Sequence, residues 1–162
     1  MSKAIVWFRR DLRVADHPAL HAACSAGFAI EAVYIHAPEE EGEWKPGAAA
    51  NWWLHHSLIA LEQDLHALGI RLRIMQGSSL NCLQRLATHV GAEAVFWNRR
   101  YEPLVIARDR EIKSALREAG RAVHTFNGAL LFEPWEAQTL QGGPYRVFTP
   151  FWRSLVSRTK MI

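Results

Sequence analysis

Cysteine is scarce in this chain: Cys24 and Cys82 are the only two among 162 residues. Two isolated thiols provide neither a zinc-ligand spacing nor a disulfide framework, so a reducing, cytoplasmic environment is expected. Long apolar runs are missing as well. No stretch approaches the roughly 18 residues of a membrane span, and the opening Met1–Phe8 reaches Arg9-Arg10-Asp11 before a secretory leader could develop. Several catalytic signatures are absent. Without Gly-x-Gly-x-x-Gly after the first strand, or a Walker loop anywhere, a dinucleotide or P-loop site is unsupported. Without Gly-x-Ser-x-Gly there is no hydrolase elbow. The eight histidines include no His-Glu-x-x-His, and the adjacent His55 and His56 would point in different directions from a helix, so solvated or packing roles are expected. One-sided charge is lacking too: 19 Lys and Arg against 16 Asp and Glu leave +3, compatible with an anionic ligand or nucleic acid but requiring neither.

What remains is an ordinary globular composition, 49% apolar and 22% charged, at a length that suggests one domain. The pattern alternates short β-rich runs with longer helical ones. Ala4–Phe8 is continuously apolar, as in a strand buried on both faces. Asp16 before Pro18 predicts an N-cap and first-turn proline, with Leu20, Ala23 and Cys24 facing inward and Gly27 closing the helix. Ala29–Ile35 reads as the second strand. After the acidic loop 38–47, Leu54, Leu58, Leu61, Leu65 and Leu68 form one helical stripe. The alternation of Ile70, Leu72 and Ile74 with Arg71 and Arg73 predicts a wet edge strand. Leu80, Leu83, Leu86 and Val90 give a third helix, Ala92–Trp97 a fourth strand, Val105–Ala119 a fourth helix and Ala122–Phe126 a fifth strand.

Five strands joined by helices imply right-handed crossovers and a doubly wound, Rossmann-like α/β fold, a parallel sheet of order 3-2-1-4-5 with helices on both faces. From Gly128 the pattern turns irregular or hairpin-like, through Leu130–Phe132, the Gly142-Gly143-Pro144 turn and Tyr145–Phe148. Thr149 and Pro150 then predict the cap and first residue of a last helix. The expected division is residues 1–128 for the α/β part and 129–162 for an irregular segment leading into a connector.

Ligands of open α/β sheets bind beyond the strands' carboxyl ends, where the order reverses. Here that places Arg9-Arg10-Asp11-Leu12-Arg13 and Asn98-Arg99-Arg100-Tyr101-Glu102 around a crevice between strands one and four. Arginine forks suit a planar anion; equally, Arg9, Asp11 and Arg13 can pair locally and fix the loops. Trp52 and Trp53 can pack in a core or interface, or stack on a cofactor.

Four ordered motifs resemble one family. Val6-Trp7-Phe8-Arg9-Arg10-Asp11-Leu12-Arg13 with Asp16-His17, the segment Ala48–Leu58, Trp97–Pro103 with Arg108-Asp109, and Tyr145–Arg153 are each similar to segments of the DNA photolyase/cryptochrome family, most like its bacterial pyrimidine-dimer photolyases. The resemblance implies the N-terminal antenna-type domain of a blue-light-driven repair enzyme, which splits pyrimidine dimers with reduced FAD held in a larger helical domain beyond this chain. It implies a second chromophore at this domain, no catalytic residue of its own, and damaged DNA as the whole protein's partner. Relatives with a folate antenna in the common mode carry Asn-Glu where this chain has Leu104-Val105. The Trp-Asn-x-x-x-Glu-Pro form is instead similar to members using a deazaflavin or FMN, a second folate mode staying open. By position, the antenna contacts would be Arg10, Ile35, His36, Asn51, Arg100 and Glu102.

A cryptochrome, signalling rather than repairing, has the same implied features. A self-sufficient nucleotide-binding module is disfavoured by the missing glycine-rich loops. The helix-like ending with Phe148, Phe151, Trp152, Leu155 and Val156, and no capping glycine before Ile162, leads to the expectation that these residues form a complete α/β domain of a longer protein. Its aromatic tail is expected to be exposed and to self-associate.

Overall fold

Ala4 to Phe8 carry no polar side chain, and all five are buried. They form most of β1 (Lys3–Phe8), the centre of a five-stranded sheet in the computed structural model, which describes residues 1–139 and 141–158. Around it follow α1 (Pro18–Ser25), β2 (Ala29–His36), α2 (Ala48–Ala67), β3 (Leu72–Gln76), α3 (Ser79–Val90), β4 (Ala92–Asn98), α4 (Pro103–Glu118) and β5 (Ala122–Phe126). Every strand pair is parallel and the order is β3-β2-β1-β4-β5, as the alternating pattern predicts.

The pleat of β1 sends alternate side chains to two cores. Ile5 and Trp7 join Val33, Val95 and Trp97 beneath α3 and α4, which contribute Leu83, Leu86, Ile112 and Leu116. Ala4, Val6 and Phe8 join Ala32, Ala94 and Phe96 beneath α1 and α2, which contribute Ala19, Leu20, Ala23, Leu61 and Leu65. The sheet is therefore doubly wound. Alanines on the second face (Ala4, Ala32 and Ala94 against Ala19 and Ala23) let short α1 come close to the strands.

Several local expectations are corrected. The N-cap of α1 is His17, not Asp16: its Nδ1 accepts the Leu20 N–H at 3.1 Å, while Asp16 takes a positive φ of 48° in the preceding turn. An imidazole nitrogen can serve as a cap acceptor like a carboxylate, and Pro18 follows either way. Cys24 is exposed, because the inward face of α1 is set by Ala19, Leu20 and Ala23. Leu68 lies beyond the end of α2 and Ile74 is 61% exposed on the edge strand β3. Neither tryptophan of α2 enters the core: Trp52 is 63% and Trp53 70% exposed.

The chain divides into two units, Met1–Ala129 and Leu130–Ile162. In the second, the segment expected to be irregular or hairpin-like carries one antiparallel bridge, joining Gln138 to Pro144. Its helix α5 (Phe148–Arg158) begins one residue before the predicted cap, Thr149. Phe148 and Trp152 stack one turn apart, ring centroids 6.1 Å from each other, and the Arg158 guanidinium donates to the Glu136 carbonyl. The expected run of this helix toward Ile162 lies outside the described residues.

One side chain ties the first unit's centre together. Asn98, at the end of β4, is buried; its Oδ1 accepts the Ala19 N–H at 3.1 Å and its Nδ2 donates to Asp11 at 2.7 Å. Gly128 packs directly on it, and a Cβ there would come within 2.6 Å of the Asn98 amide carbon. Gly128→Ala is therefore expected to destabilise the chain by about 1–3 kcal/mol through overpacking. In an Asn98→Ala background only part of that increment should vanish, because the carboxamide is gone while the Cβ of residue 98, 2.8 Å from the added carbon, remains. Urea midpoints of the two single variants and the double variant measure the coupling.

Candidate functional site

The loops after β1, β2 and β4 are shaped by buried polar contacts. Asp11 accepts the Arg9 N–H at 2.9 Å, the Asn98 amide, and a contact from His17 Nε2 at 3.0 Å. Because His17 Nδ1 accepts from Leu20, the ring hydrogen belongs on Nε2, aimed at Asp11. Burial by itself would push the Asp11 carboxyl up, but these donors outweigh it and hold the group at about 2. Arg9 runs beneath the loop to Asp109 and to the Asn98 carbonyl, its guanidinium 4.9 Å from the Trp7 ring centroid. Arg13 donates to the carbonyls of Asp16 and Gly128, each at 2.9 Å. Arg9, Asp11 and Arg13 thus pair locally and fix the loop, and Arg9 and Arg13 also line the cavity that this loop borders.

A second network holds the segment after β2, a short 3-10 stretch at Pro38–Trp44. Glu40 accepts the N–H and hydroxyl of Ser79, at 2.7 and 2.6 Å, and Arg108 at 3.1 Å. Glu41 receives Arg100 through two parallel bonds of 2.6 and 2.8 Å and Arg10 at 3.0 Å. Glu102 completes the cluster, 2.8 Å from Arg100 and 3.1 Å from Arg10. The Arg100 bonds hold Glu41 below the usual carboxylate range. At Glu102 desolvation acts upward, but Arg100 prevails and holds it at about 2. The same carboxylates outweigh burial at Arg100 and raise its affinity for its proton. Gly42 makes the stretch possible: its φ of 59° with ψ of −131° suits only glycine, and a Cβ there would meet Leu104 at 2.9 Å.

Together these segments enclose a cavity of about 680 Å³ beyond the ends of β1 and β2. Trp44, Trp53, Tyr34 and Leu54 are among its apolar walls, and Trp7 and Ile35 reach it from the core. The cavity therefore opens one strand over from the predicted crevice between the first and fourth strands, with Arg100 and Arg108 reaching it from the β4 side. Its size suits a small organic ligand. Its lining is rich in arginine: Arg9, Arg100 and Arg108 are matched by carboxylates, while Arg10, 61% of whose side chain is exposed, and Arg13, 3.9 Å from Asp16, are the cations most open to a ligand. Flat aromatic walls stand beside these guanidinium groups.

Of the six candidate contacts, Arg10, Ile35, His36 and Arg100 line the cavity. Asn51 is exposed in the first turn of α2 and donates to the Pro46 carbonyl at 3.3 Å. Glu102 braces Arg10 and Arg100 without lining the cavity itself. Tyr34, Glu40, Glu41 and Trp44 carry no site reading in the sequence, and Arg108 enters there only as part of a family motif. Three consecutive acidic residues (39–41) directly after a buried strand are the signal that points to them, since a ligand-binding edge lies there.

The fold is a doubly wound α/β domain with a cavity at the carboxyl edge of its sheet. A DNA photolyase family model matches residues 4–161, and the chain belongs to that family. It is 48% identical over 151 residues to the deoxyribodipyrimidine photo-lyase of Agrobacterium fabrum, covering 93% of this chain and 31% of that protein. It is 44% identical over 155 residues to cryptochrome-1 of Arabidopsis thaliana, covering 95% of this chain and 23% of the relative. Among solved structures, a bacterial class III photolyase from Agrobacterium tumefaciens superposes with a TM-score of 0.89 at 45% identity, covering 98% of this chain and 32% of the other. The chain thus spans less than a third of the length of these relatives.

The depressed carboxylates set the acid limit of the site. A group whose folded value lies below its unfolded one stabilises the fold fully above about pH 4, and that contribution is lost as pH falls toward 2. For mostly buried Asp11 the contribution is roughly 2 kcal/mol. Asp11→Asn is expected to be less stable at neutral pH and to lose less on acidification between those values. A pH series of urea midpoints checks the slope.

Proposed function

We propose that this chain is the antenna-type domain of a light-driven DNA repair enzyme of the deoxyribodipyrimidine photolyase kind. One observation carries the reading: a family member presents an aromatic-walled cavity at the carboxyl edge of its sheet, with few charges left free. Holding a light-absorbing ring system requires flat apolar walls and a shape fixed before binding, not a nucleophile or a poised base. The Arg10–Glu41–Arg100–Glu102 cluster supplies the fixed shape, and Trp44, Trp53 and Tyr34 supply surfaces for stacking.

The residues fit such a group. Arg10, Ile35, His36 and Arg100 would contact it, with Asn51 and Glu102 bracing the rim. Leu104, packed on Gly42, occupies a position where the common folate mode uses a polar residue, which favours a deazaflavin or FMN. When bound, the chromophore absorbs near-ultraviolet or blue light and passes the energy to FAD. FAD and the contacts to damaged DNA belong, on this reading, to the helical part of the whole protein, and this domain has no catalysis of its own. No helix among the described residues is long and apolar enough to cross a membrane. Both described thiols are free, in keeping with a reducing cytoplasm. A second reading, a cryptochrome-type photoreceptor, is favoured by the 44% identity to the plant cryptochrome. Light-dependent splitting of thymine dimers by the whole protein separates the two.

Titration with FMN, a deazaflavin or methenyl-folate tests the antenna reading through quenching of indole emission, since Trp44 and Trp53 line the cavity. One of the flavin-type ligands is expected to bind, and Trp53→Ala should weaken it about tenfold by removing a stacking surface. Quenching by none of the three would defeat the proposal. Of the tail residues expected to be exposed, Leu155 is buried and Phe151 half-buried; we also propose that exposed Phe148, Trp152 and Val156 on α5 mediate self-association of the 162-residue chain. Sedimentation velocity should show concentration-dependent dimers that Trp152→Ser abolishes.

A further inference from the structure

A second large groove lies at the outer edge of the sheet, on the other side of β2 from β1. β3 pairs with β2 on one side only, so among the described residues no strand covers the backbone groups along its other edge. β3 and α3 together line a groove of about 830 Å³ that combines apolar Ile74 and Met75 with Arg71, Arg73, Arg85 and His89. Arg73 is held by Glu31 at 3.0 Å. Arg71 and Arg85 have no carboxylate partner among the described residues, in contrast to the compensated arginines of the chromophore cavity.

Basic side chains on an edge strand repel a second copy of the same strand, and that accounts for Arg71 and Arg73. It does not account for Arg85 and His89, which a helix contributes to the same groove, or for Ile74 standing 61% exposed beside them. We propose that this groove docks an extended acidic peptide segment of a partner protein, added as a further strand on β3. An open strand edge offers a backbone ladder that another backbone satisfies. A nucleic acid would answer the guanidinium groups but neither the ladder nor the apolar lining.

The pleat specifies the sequence pattern of the partner. Arg71, Arg73 and Met75 share the face that α3 covers, Met75 packing on the core beneath that helix, while Leu72 and Ile74 lie on the opposite face. An added strand therefore places acidic side chains toward Arg71, Arg73 and Arg85 and apolar ones toward Ile74, in strict alternation.

The probe is a fluorescein-labelled peptide of about ten residues alternating Glu and Val, titrated with the full chain and followed by anisotropy. A Lys–Val peptide and a short DNA duplex serve as comparisons. Saturable binding of the Glu–Val peptide alone is expected, with slowed amide exchange across residues 72–76 in the complex. The double variant Arg71→Glu/Arg85→Glu, its far-ultraviolet dichroism unchanged, should bind at least tenfold more weakly. The proposal is overturned by absence of saturable Glu–Val binding, by equal binding of the Lys–Val peptide, or by preference for the duplex. It is equally overturned by binding that leaves the 72–76 amides unprotected, or by a double variant that keeps its affinity for the peptide.

Discussion

The carboxamide of Asn98 is the contact on which the rest of this domain depends. It ends the central strand pair, receives the first free N–H of α1, and donates to the carboxylate that shapes the loop after β1. An amide can do this because it offers donors and acceptor from one planar group; a carboxylate there would face Asp11 with like charge. The backbone carbonyl of the same residue takes Arg9, whose other contact is Asp109 in α4. Arg9 is so deeply buried that desolvation lowers its proton affinity despite the paired carboxylate. Its Nε has no hydrogen-bond partner among the described residues, and the face of Trp7 supplies a compensating surface. Removing any one member would leave the others buried and unsatisfied, which is the expensive case for polar groups.

The cavity inherits its form from this frame. Arg9 and Asp109 fix α4 against the sheet, and Arg108 beside them reaches Glu40, so the acidic stretch after β2 is tied to two helices at once. Glu41 then closes on Arg100 from the same stretch. The walls are thus set by charge pairs that are satisfied before any ligand arrives, and the indoles they carry stay solvent-facing. Exposed aromatics are costly to leave in water without a partner, which is why Trp44 and Trp53 read as binding surface and Trp7 and Trp97 as core.

Strand order and helix stripes were legible because they follow from period-two and 3.6-residue patterns that only burial can satisfy. The run Ala4–Phe8 could only be central, and the arginines of the third strand could only be at an edge. Three features were not legible. The cap of α1 was misassigned because His17 and Asp16 are both acceptors one residue apart, and only the contact to Asp11 decides between them. The pairing of the site arginines depends on Glu40 and Glu41, which are distant in sequence from residues 9–13 and 98–109. The tryptophans of α2 stay open between packing and stacking in the sequence, because helical spacing cannot tell an inward face from a face that borders a cavity.

The spans of these contacts also bear on how the molecule comes into being. Asn98 is 87 residues from Asp11, and Arg9 is 100 residues from Asp109. The parallel pairing of β1 with β4 closes a loop that contains every intervening element. Chain-closure entropy makes such contacts late ones. On the ribosome, the first fifty residues already contain the loop after β1 and the acidic stretch, yet they have nothing to hold them in place. The cavity is assembled only when α4 has been synthesised and docked, so a nascent chain short of that point carries many of the lining residues without the cavity.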